Sequence, residues 1–207
     1  MQNIIDIFNL LILLPIFIWI IKCRSIQIKY NHFAIYLILG LINELIHIGK
    51  YNNSTINLAS SIYYLIETQF LLNIFLFWLG ESFIRKITLH TIYFLLWFFD
   101  FINWYVEKNI NVPWMYFLML IGLIILGIKI ISKNNITNAR SQKLIIIPFI
   151  VYAIYFIIIN ILMAFLYTKQ NQQLFINLYS VINLINFLSY ISYSLALLWA
   201  PKKEQFL

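Results

Sequence analysis

Seven long apolar runs, separated by short stretches rich in charged residues and asparagine, dominate this sequence. A helix needs roughly 20 mainly apolar residues to cross the hydrocarbon core of a bilayer. The runs are close to that length, and they cover residues 4–21, 33–48, 56–79, 87–106, 114–131, 144–167 and 174–199. Because unpaired backbone groups are costly in lipid, each run is predicted to be a helix. The pattern predicts an all-α fold, a polytopic transmembrane bundle of seven helices that forms a single transmembrane domain over residues 1–207.

The composition excludes an ordinary soluble domain. Of the 207 residues, 63% are hydrophobic and only 10% are charged, whereas soluble domains carry about 25% charged residues. A soluble fold of this composition would expose large apolar areas and aggregate. The seven runs also occupy most of the chain, so no separate enzyme, DNA-binding or signalling domain is expected.

The lysines and arginines alternate between the two predicted faces of the membrane. Eleven of the fourteen lie at or after the ends of runs 1, 3, 5 and 7: Lys22, Arg24, Lys29, Arg85, Lys86, Lys129, Lys133, Arg140, Lys143, Lys202 and Lys203. The other three, Lys50, Lys108 and Lys169, follow runs 2, 4 and 6. Because positive residues stay cytoplasmic, the N-terminus is predicted outside and the C-terminus in the cytoplasm. The same rule explains the net charge of +7, so nucleic-acid binding is not expected.

Glu67 is the most deeply placed acid of the chain. Ionisable residues at membrane depth are costly, which makes each of them a candidate functional residue. Glu67 lies near the midpoint of run 3 and shares a helical face with Tyr63, while Gln69 and Asn73 lie on a nearly opposite face. Since a helix that is polar on both sides cannot face lipid on either side, run 3 is predicted to lie in the centre of the bundle.

Polar stripes on other runs are predicted to face run 3 and to form a cavity. Runs 2, 4, 6 and 7 carry such residues, whereas run 5 has almost none before Lys129 and is predicted to lie at the periphery, facing lipid. The cavity would have acidic, amide and tyrosine walls and would open more to the outside than to the cytoplasm. Its candidate ligand- or ion-binding residues are Glu44, His47, Tyr63, Glu67, Asp100, Asn160, Asn183, Asn186 and Tyr190.

Two interpretations of these residues stay open. Carboxylates beside aromatic rings attract a cation by charge and by cation–π interaction, and a carboxyl at mid-membrane is a feature of proton relays in transporters. Alternatively, asparagine and tyrosine side chains hold membrane helices together by hydrogen bonds without binding a ligand. The structural interpretation is favoured for Asn160, Asn183 and Asn186, and the functional one for Glu67.

The sequence lacks the motifs of common membrane enzymes and photoreceptors. Run 7 has no lysine that could hold retinal. There is no His-Glu-x-x-His metal motif or Gly-rich phosphate loop, and no Gly-x-Ser-x-Gly nucleophile motif. With three histidines and one cysteine, no catalytic residue, cofactor or metal site is predicted. A membrane-embedded lipid enzyme that uses carboxylates and tyrosines stays an alternative, because such chemistry has no strict residue spacing.

Four short motifs stand out in helices 2, 3 and 7: Asn43-Glu44-Leu45-Ile46, Tyr63-x-x-x-Glu67, Ile182-Asn183-x-x-Asn186-x-x-x-Tyr190 and Leu195-Ala196-Leu197-Leu198-Trp199. In these motifs the chain resembles a group of uncharacterised small seven-helix inner-membrane proteins from bacteria with AT-rich genomes. The resemblance implies a seven-helix bundle, emphasises Glu44, Glu67, Asn183 and Asn186, and brings no assigned activity. The abundant isoleucine and asparagine also fit an AT-rich gene and so predict a multi-pass protein of the bacterial inner (cytoplasmic) membrane.

Four functions are compatible with the sequence. The first is a small transporter or channel subunit for a cation or small polar ligand, and the second is a membrane sensor or partner subunit that signals through a separate cytoplasmic protein. The third is an oligomeric effector channel, gated by an anionic messenger at a cytoplasmic basic surface of Lys133, Arg140 and Lys143. The fourth is the lipid enzyme. The expected partners are the lipid bilayer, a small cationic or polar ligand, and a second copy or a membrane partner protein.

Overall fold

The computed structural model describes residues 11–48, 53–107, 114–133, 139–166 and 172–202. These ranges contain seven α-helices: α1 (Leu13–Lys22), α2 (Ile28–Ile48), α3 (Asn53–Leu79), α4 (Phe83–Glu107), α5 (Trp114–Ser132), α6 (Ala139–Leu166) and α7 (Gln172–Leu198). No strand forms within them, and β-type pairing is limited to a bridge between Ile26 and Lys202. The predicted all-α fold with seven helices is confirmed, while the start of run 1 lies outside the described residues.

Several helices begin earlier than the apolar runs indicate, and the difference is largest for α2 and α6. α2 begins at Ile28 and α6 at Ala139, each several residues before the corresponding run. The polar residues of these first turns stay helical because they find partners in neighbouring helices. The hydroxyls of Tyr30 in α2 and Ser141 in α6 form a hydrogen bond of 2.5 Å. Run length therefore marks the apolar part of a helix, and contacts between helices extend its polar end.

Four helices, α3, α5, α6 and α7, are long and apolar enough to cross a membrane. Their apolar spans are 22, 19, 27 and 27 residues long, against a requirement of roughly 20. α1 is apolar but shorter in the described part of the chain. Large apolar side chains point outward, including Phe94, Phe99, Leu184 and Leu188. A surface of this kind suits lipid, and the bundle is consistent with a membrane protein.

Six of the helices form a closed ring, and α4 packs against its outside. Around the ring the order of neighbours is α1, α2, α3, α5, α6 and α7, and α7 packs back against α1. α4 packs against α3 and α5, which also contact each other directly. The order of helices around the ring therefore follows their order in the chain, except that α4 lies outside the ring.

The structure corrects the predicted position of helix 5. The sequence placed it at the periphery facing lipid, but α5 lies in the ring between α3 and α6, with α4 packed beside it. Residues along α5 are buried, among them Phe117, Met119, Leu120 and Leu123. One face of α5 still carries exposed apolar side chains, among them Leu118, Ile121 and Ile125. Its lack of polar residues therefore reflects both this outward face and apolar packing against three neighbouring helices.

The polar stripe of α4 attaches this helix to the ring instead of facing the cavity. The Tyr93 hydroxyl donates a hydrogen bond of 2.9 Å to the carbonyl of Met119 in α5. The Trp97 ring nitrogen donates one of 2.8 Å to the carbonyl of Ser61 in α3. Gly122 allows the first bond, because a side chain there would overlap with the Tyr93 hydroxyl. These polar groups are satisfied by backbone carbonyls, so their role is structural.

Positively charged residues gather at one end of the bundle, the basic end. Three lysine contacts join helix ends there: the Lys22 ammonium donates at 2.5 Å to the carbonyl of Leu198, the Lys133 ammonium donates at 2.8 Å to the carbonyl of Leu79, and the Lys29 ammonium lies 3.9 Å from the centre of the Phe77 ring. A cation is favourable at a helix C-terminus because of the partial negative charge of the last carbonyls. The contacts bring the connections after α1, α3 and α5 and the segment after α7 to this end.

Pro148 lies inside α6, and the helix continues through it. Because proline has no N–H, the carbonyl of Leu144, four residues earlier, lacks its helical donor. The Ser192 hydroxyl of α7 donates to that carbonyl at 2.7 Å. This hydrogen bond satisfies the backbone group that proline leaves open and joins α6 to α7.

Candidate functional site

A cavity of about 430 Å³ lies inside the ring. Its walls are formed by side chains of α2, α3, α6 and α7, together with Ile12 just before α1. The α3 residues that line it, Tyr63, Tyr64 and Glu67, belong to the first half or the middle of that helix. Since α3 runs toward the basic end, the cavity extends from the middle of the bundle toward the opposite end.

An apolar layer closes the cavity on the side of the basic end. Leu72 and Phe75 follow Glu67 along α3, and both are fully buried. Tyr30 and Phe33 of α2 are fully buried as well. In the described part of the chain, this layer separates the polar cavity from the basic end.

The lining residues follow helical periodicity. α2 contributes positions 36, 37, 40, 43 and 44, and α7 contributes positions 182, 183, 186, 189, 190 and 193. Steps of three and four residues place each set on one face of its helix. Other positions of the same helices, such as Ile42 and Leu184, carry exposed apolar side chains. Each of these two helices therefore turns its polar stripe inward and an apolar face outward.

Glu67 is the buried acid at the inner end of the cavity, and it is 3% exposed. Three tyrosine hydroxyls donate to its carboxylate: Tyr116 to Oε2 at 2.7 Å, and Tyr36 and Tyr63 to Oε1 at 3.2 and 3.4 Å. Both oxygens thus accept hydrogen bonds from tyrosine hydroxyls. The three donors satisfy the buried acid without a basic side chain beside it.

Tyr116, which makes the shortest of these bonds, is held from two sides. Its backbone N–H donates to the Asp100 carboxylate at 2.9 Å, and that of Met115 donates at 3.3 Å. Its ring stacks on Tyr64 with ring centres 4.2 Å apart. Asp100 therefore caps the N-terminus of α5, where the helix dipole favours an anion. Through Tyr116, this cap helps to position the donor to Glu67.

The cavity is acidic. Glu44 and Glu67 line it, and its described lining residues include no lysine, arginine or histidine. Both carboxyl groups interact by Coulomb forces with Tyr63, Tyr152 and Tyr190, so their fields overlap in the cavity. Negative groups in a cleft with low-dielectric walls raise the local concentration of cations.

Six of the nine predicted cavity residues come together in this structure: Glu44, Tyr63, Glu67, Asn183, Asn186 and Tyr190. Asp100 lies outside the cavity, because its carboxylate caps α5. The amide of Asn160 donates at 2.8 Å to the carbonyl of Phe156 in its own helix. The side chain of His47 lies outside the part of the chain that the structure describes. Acidic, amide and tyrosine walls are thus present, but α4 contributes none of them.

The three residues of the predicted basic surface have different surroundings. Lys133 donates to the carbonyl of Leu79. The Arg140 guanidinium lies 5.4 Å from the centre of a Trp199 ring, and Lys143 is half-buried in α6. Lys133 and Arg140 therefore already take part in contacts between helix ends.

Five tyrosines that line the cavity or contact Glu67 are not among the predicted site residues: Tyr36, Tyr64, Tyr116, Tyr152 and Tyr193. Periodicity was an available signal for three of them. Tyr64 precedes Glu67 by three residues. Tyr193 follows Tyr190 by three residues, and Tyr36 precedes Gly40 by four. Tyr116 and Tyr152 stand in otherwise apolar runs, where the sequence does not show which way a single tyrosine points.

The donor set is poor for a transition metal. Among the described residues, no group of three or more His, Cys, Asp or Glu side chains could hold a metal ion. The chemistry of the site therefore rests on two carboxylates, three asparagine amides and a wall of aromatic rings. Comparisons with protein-family models, with curated proteins and with solved structures give no match to this chain.

Proposed function

We propose that this chain is a multi-pass protein of the bacterial inner membrane that binds a small cation or polar ligand in its cavity and moves it, as a small transporter or channel subunit. All seven helices cross the membrane in this proposal, with the N-terminus outside and the C-terminus in the cytoplasm. The observation that carries the proposal is Glu67, a buried acid in the cavity wall that three tyrosine hydroxyls hold in place.

The gathering of lysines at one end supports the proposed orientation. Contacts of Lys22, Lys29 and Lys133 join helix ends at the basic end, and positive residues stay on the cytoplasmic side of a bilayer. The cavity then extends toward the outer face. An outside solute would reach Glu44 and Glu67 from the external solution, while the apolar layer of Phe33 and Phe75 separates them from the cytoplasm.

The electrostatics of the cavity support a cation as its ligand. Glu44 and Glu67 contribute negative charge, and no basic residue is among the described lining residues. Tyrosine faces attract cations further, because the ring quadrupole is negative over the face. Structural hydrogen bonding alone requires neither two acids in one cavity nor the open space of about 430 Å³.

The closure of the cavity toward the basic end also favours a second function, a membrane sensor or partner subunit. A site that buried Tyr30, Phe33 and Phe75 close toward this end suits the reception of a ligand from the opposite side. The response would then pass to a separate cytoplasmic protein through the basic end. Movement of a ligand through the protein distinguishes transport from this sensor function.

The test is uptake of rubidium and of radiolabelled choline into proteoliposomes that contain the purified protein. The Glu67→Gln variant keeps the shape of the side chain but removes its charge, and we expect the initial rate of uptake to fall by about tenfold or more. The matched control is Glu81→Gln, because Glu81 pairs with Arg85 at 2.9 Å and lies near the basic end. The proposal of transport would be contradicted if vesicles with the wild-type protein took up both probes no faster than vesicles without protein.

A further inference from the structure

The size of the cavity suits a small molecule better than a bare ion. Its volume of about 430 Å³ lies within the range of roughly 300–1,000 Å³ found for small-molecule pockets. A sodium or potassium ion would occupy little of this space and would leave the rest to water. A ligand with several carbon atoms would instead contact the opposite walls of the cavity at once.

The walls are mainly aromatic. Eight of the eighteen lining residues are tyrosine or phenylalanine, and they come from α2, α3, α6 and α7. The rings of Tyr152 and Phe156 stack with centres 5.8 Å apart, and those of Tyr190 and Tyr193 meet edge to face at 6.4 Å. Aromatic faces around an acidic space are the surroundings in which proteins bind alkylated ammonium groups.

Glu67 is poorly arranged for an inorganic cation. A metal ion such as calcium needs six to eight oxygen ligands at about 2.3–2.6 Å. Both Glu67 oxygens already accept hydrogen bonds from Tyr36, Tyr63 and Tyr116. An inorganic ion would have to displace these donors to coordinate Glu67. An alkylammonium group can instead lie against the rings of Tyr36 and Tyr63, which line the cavity, and still be attracted by the negative charge of Glu67.

The amide side of the cavity indicates what else the ligand carries. Asn43, Asn183 and Asn186 line it, and the side-chain oxygen of Asn43 is buried without a hydrogen-bond partner. A buried acceptor left unpaired destabilises the protein. A ligand that supplies an O–H or N–H donor near Asn43 would remove this destabilisation, and a ligand without such a donor would not.

We infer that the ligand of this cavity is a small organic ammonium ion that carries a hydrogen-bond donor, held by the aromatic walls near Glu44 and Glu67 and by the amide side at Asn43. This inference rests on the proposed function in one respect, that the cavity binds a cation. It does not depend on movement across the membrane. Choline, which has a quaternary ammonium group and one hydroxyl, is the probe that combines both features.

The test is calorimetric titration of the purified protein in detergent micelles with four probes. They are choline, tetramethylammonium, the neutral isostere of choline in which carbon replaces nitrogen, and sodium chloride. We expect choline to bind about tenfold more tightly than tetramethylammonium, which lacks a donor, and the neutral isostere to bind too weakly to detect. Lithium chloride serves as the control for ionic strength. At equal ionic strength, we expect sodium chloride to displace no more choline than lithium chloride does.

Two variants separate the parts of the site. Asn43→Leu removes the unpaired acceptor, and we expect it to weaken choline binding while leaving tetramethylammonium binding unchanged. Tyr190→Leu keeps an apolar side chain but removes an aromatic face, and we expect it to weaken both. Their melting temperatures serve as folding controls, and the comparison of ligands on the wild type does not depend on either variant.

Each contrary result overturns a different statement. Equal affinity for choline and tetramethylammonium would overturn the donor requirement, and tighter binding of sodium than of choline would overturn the organic ligand while leaving cation binding intact. Binding of the neutral isostere as tight as that of choline would overturn the role of the two acids. Absence of binding by any cation, sodium included, would contradict the proposed function itself.

Discussion

At the residue scale, Glu67 shows how an acid is accommodated inside an apolar bundle. No basic side chain pairs with it in the described structure, and its partners are the hydroxyls of Tyr36, Tyr63 and Tyr116. Hydroxyl donors stabilise the carboxylate without cancelling its charge. The residue can therefore remain buried, and in the proposed function its charge attracts the cation into the cavity beside it.

The three hydroxyls are not equivalent, and their distances predict unequal contributions to stability. Tyr116 donates to Glu67 at 2.7 Å from a fully buried position, and Tyr63 donates at 3.4 Å. We expect Tyr116→Phe to lower the free energy of unfolding in mixed micelles by about 1–3 kcal/mol, the cost of leaving a buried acceptor unpaired. Tyr63→Phe is the matched control, with a loss less than half as large. Equal losses would show that these distances do not rank the bonds.

The sequence indicates Glu67 as a candidate residue, but it does not indicate which tyrosines donate to it. A carboxyl near the middle of a long apolar run is conspicuous by cost alone, so Glu67 could be predicted from its position. Tyr116 could not, because a lone tyrosine in an apolar helix has the same sequence pattern whether it faces lipid or an acid. Asp100 was assigned to the cavity because acids there are costly, whereas it caps α5, whose first turn follows it by about fifteen residues.

At the element scale, one hydrogen bond between α6 and α7 depends on a helical N–H that proline lacks. Pro148 removes a helical N–H, and the hydroxyl of Ser192 takes its place at the carbonyl of Leu144. The apolar runs located both helices in the sequence. The pairing of a proline on one helix with a serine on the next requires their relative rotation, which run lengths do not give.

A double-mutant cycle tests this hydrogen bond. We expect Ser192→Ala to lower the free energy of unfolding in mixed micelles by about 1 kcal/mol, because the Leu144 carbonyl loses its donor. In a Pro148→Ala background the restored N–H supplies that donor, so the same serine change should cost much less. Ser189→Ala is the control, since its hydroxyl donates to Ile185 within α7. An unchanged cost of Ser192→Ala in the two backgrounds would contradict the assignment.

At the scale of the whole molecule, the ring with α4 outside it could not be read from the sequence. Helix number and approximate bounds follow from apolar runs, and the inward stripes of α2 and α7 follow from periodicity. Which helices are neighbours does not follow from the sequence, because the scarcity of polar residues in α5 is compatible with lipid contact and with helix packing equally. The stripe of α4 fits a cavity as well as it fits the backbone carbonyls that it actually contacts at Met119 and Ser61.

The proposed orientation can be tested with the single native cysteine. Cys23 lies in the connection between α1 and α2, partly exposed and beside the lysine contacts of the basic end. With this end in the cytoplasm, we expect a membrane-impermeant maleimide to label Cys23 only after spheroplasts are permeabilised. A Cys23→Ser, Asn111→Cys protein carries its thiol between α4 and α5 and should be labelled in intact spheroplasts. The reverse labelling pattern would invert the proposed topology.

The closed ring has a consequence for how this protein is made. The donors to Glu67 come from α2, α3 and α5, so a growing chain has covered its central acid once α5 is in place. The ring itself closes only with α7. Its last residue accepts a hydrogen bond from Lys22, and Lys202, four residues after the helix, pairs with Ile26. During synthesis the costly charge is therefore sheltered early and the cavity is sealed last. An unfinished chain then has a hydrogen-bonded central acid but no enclosed cavity.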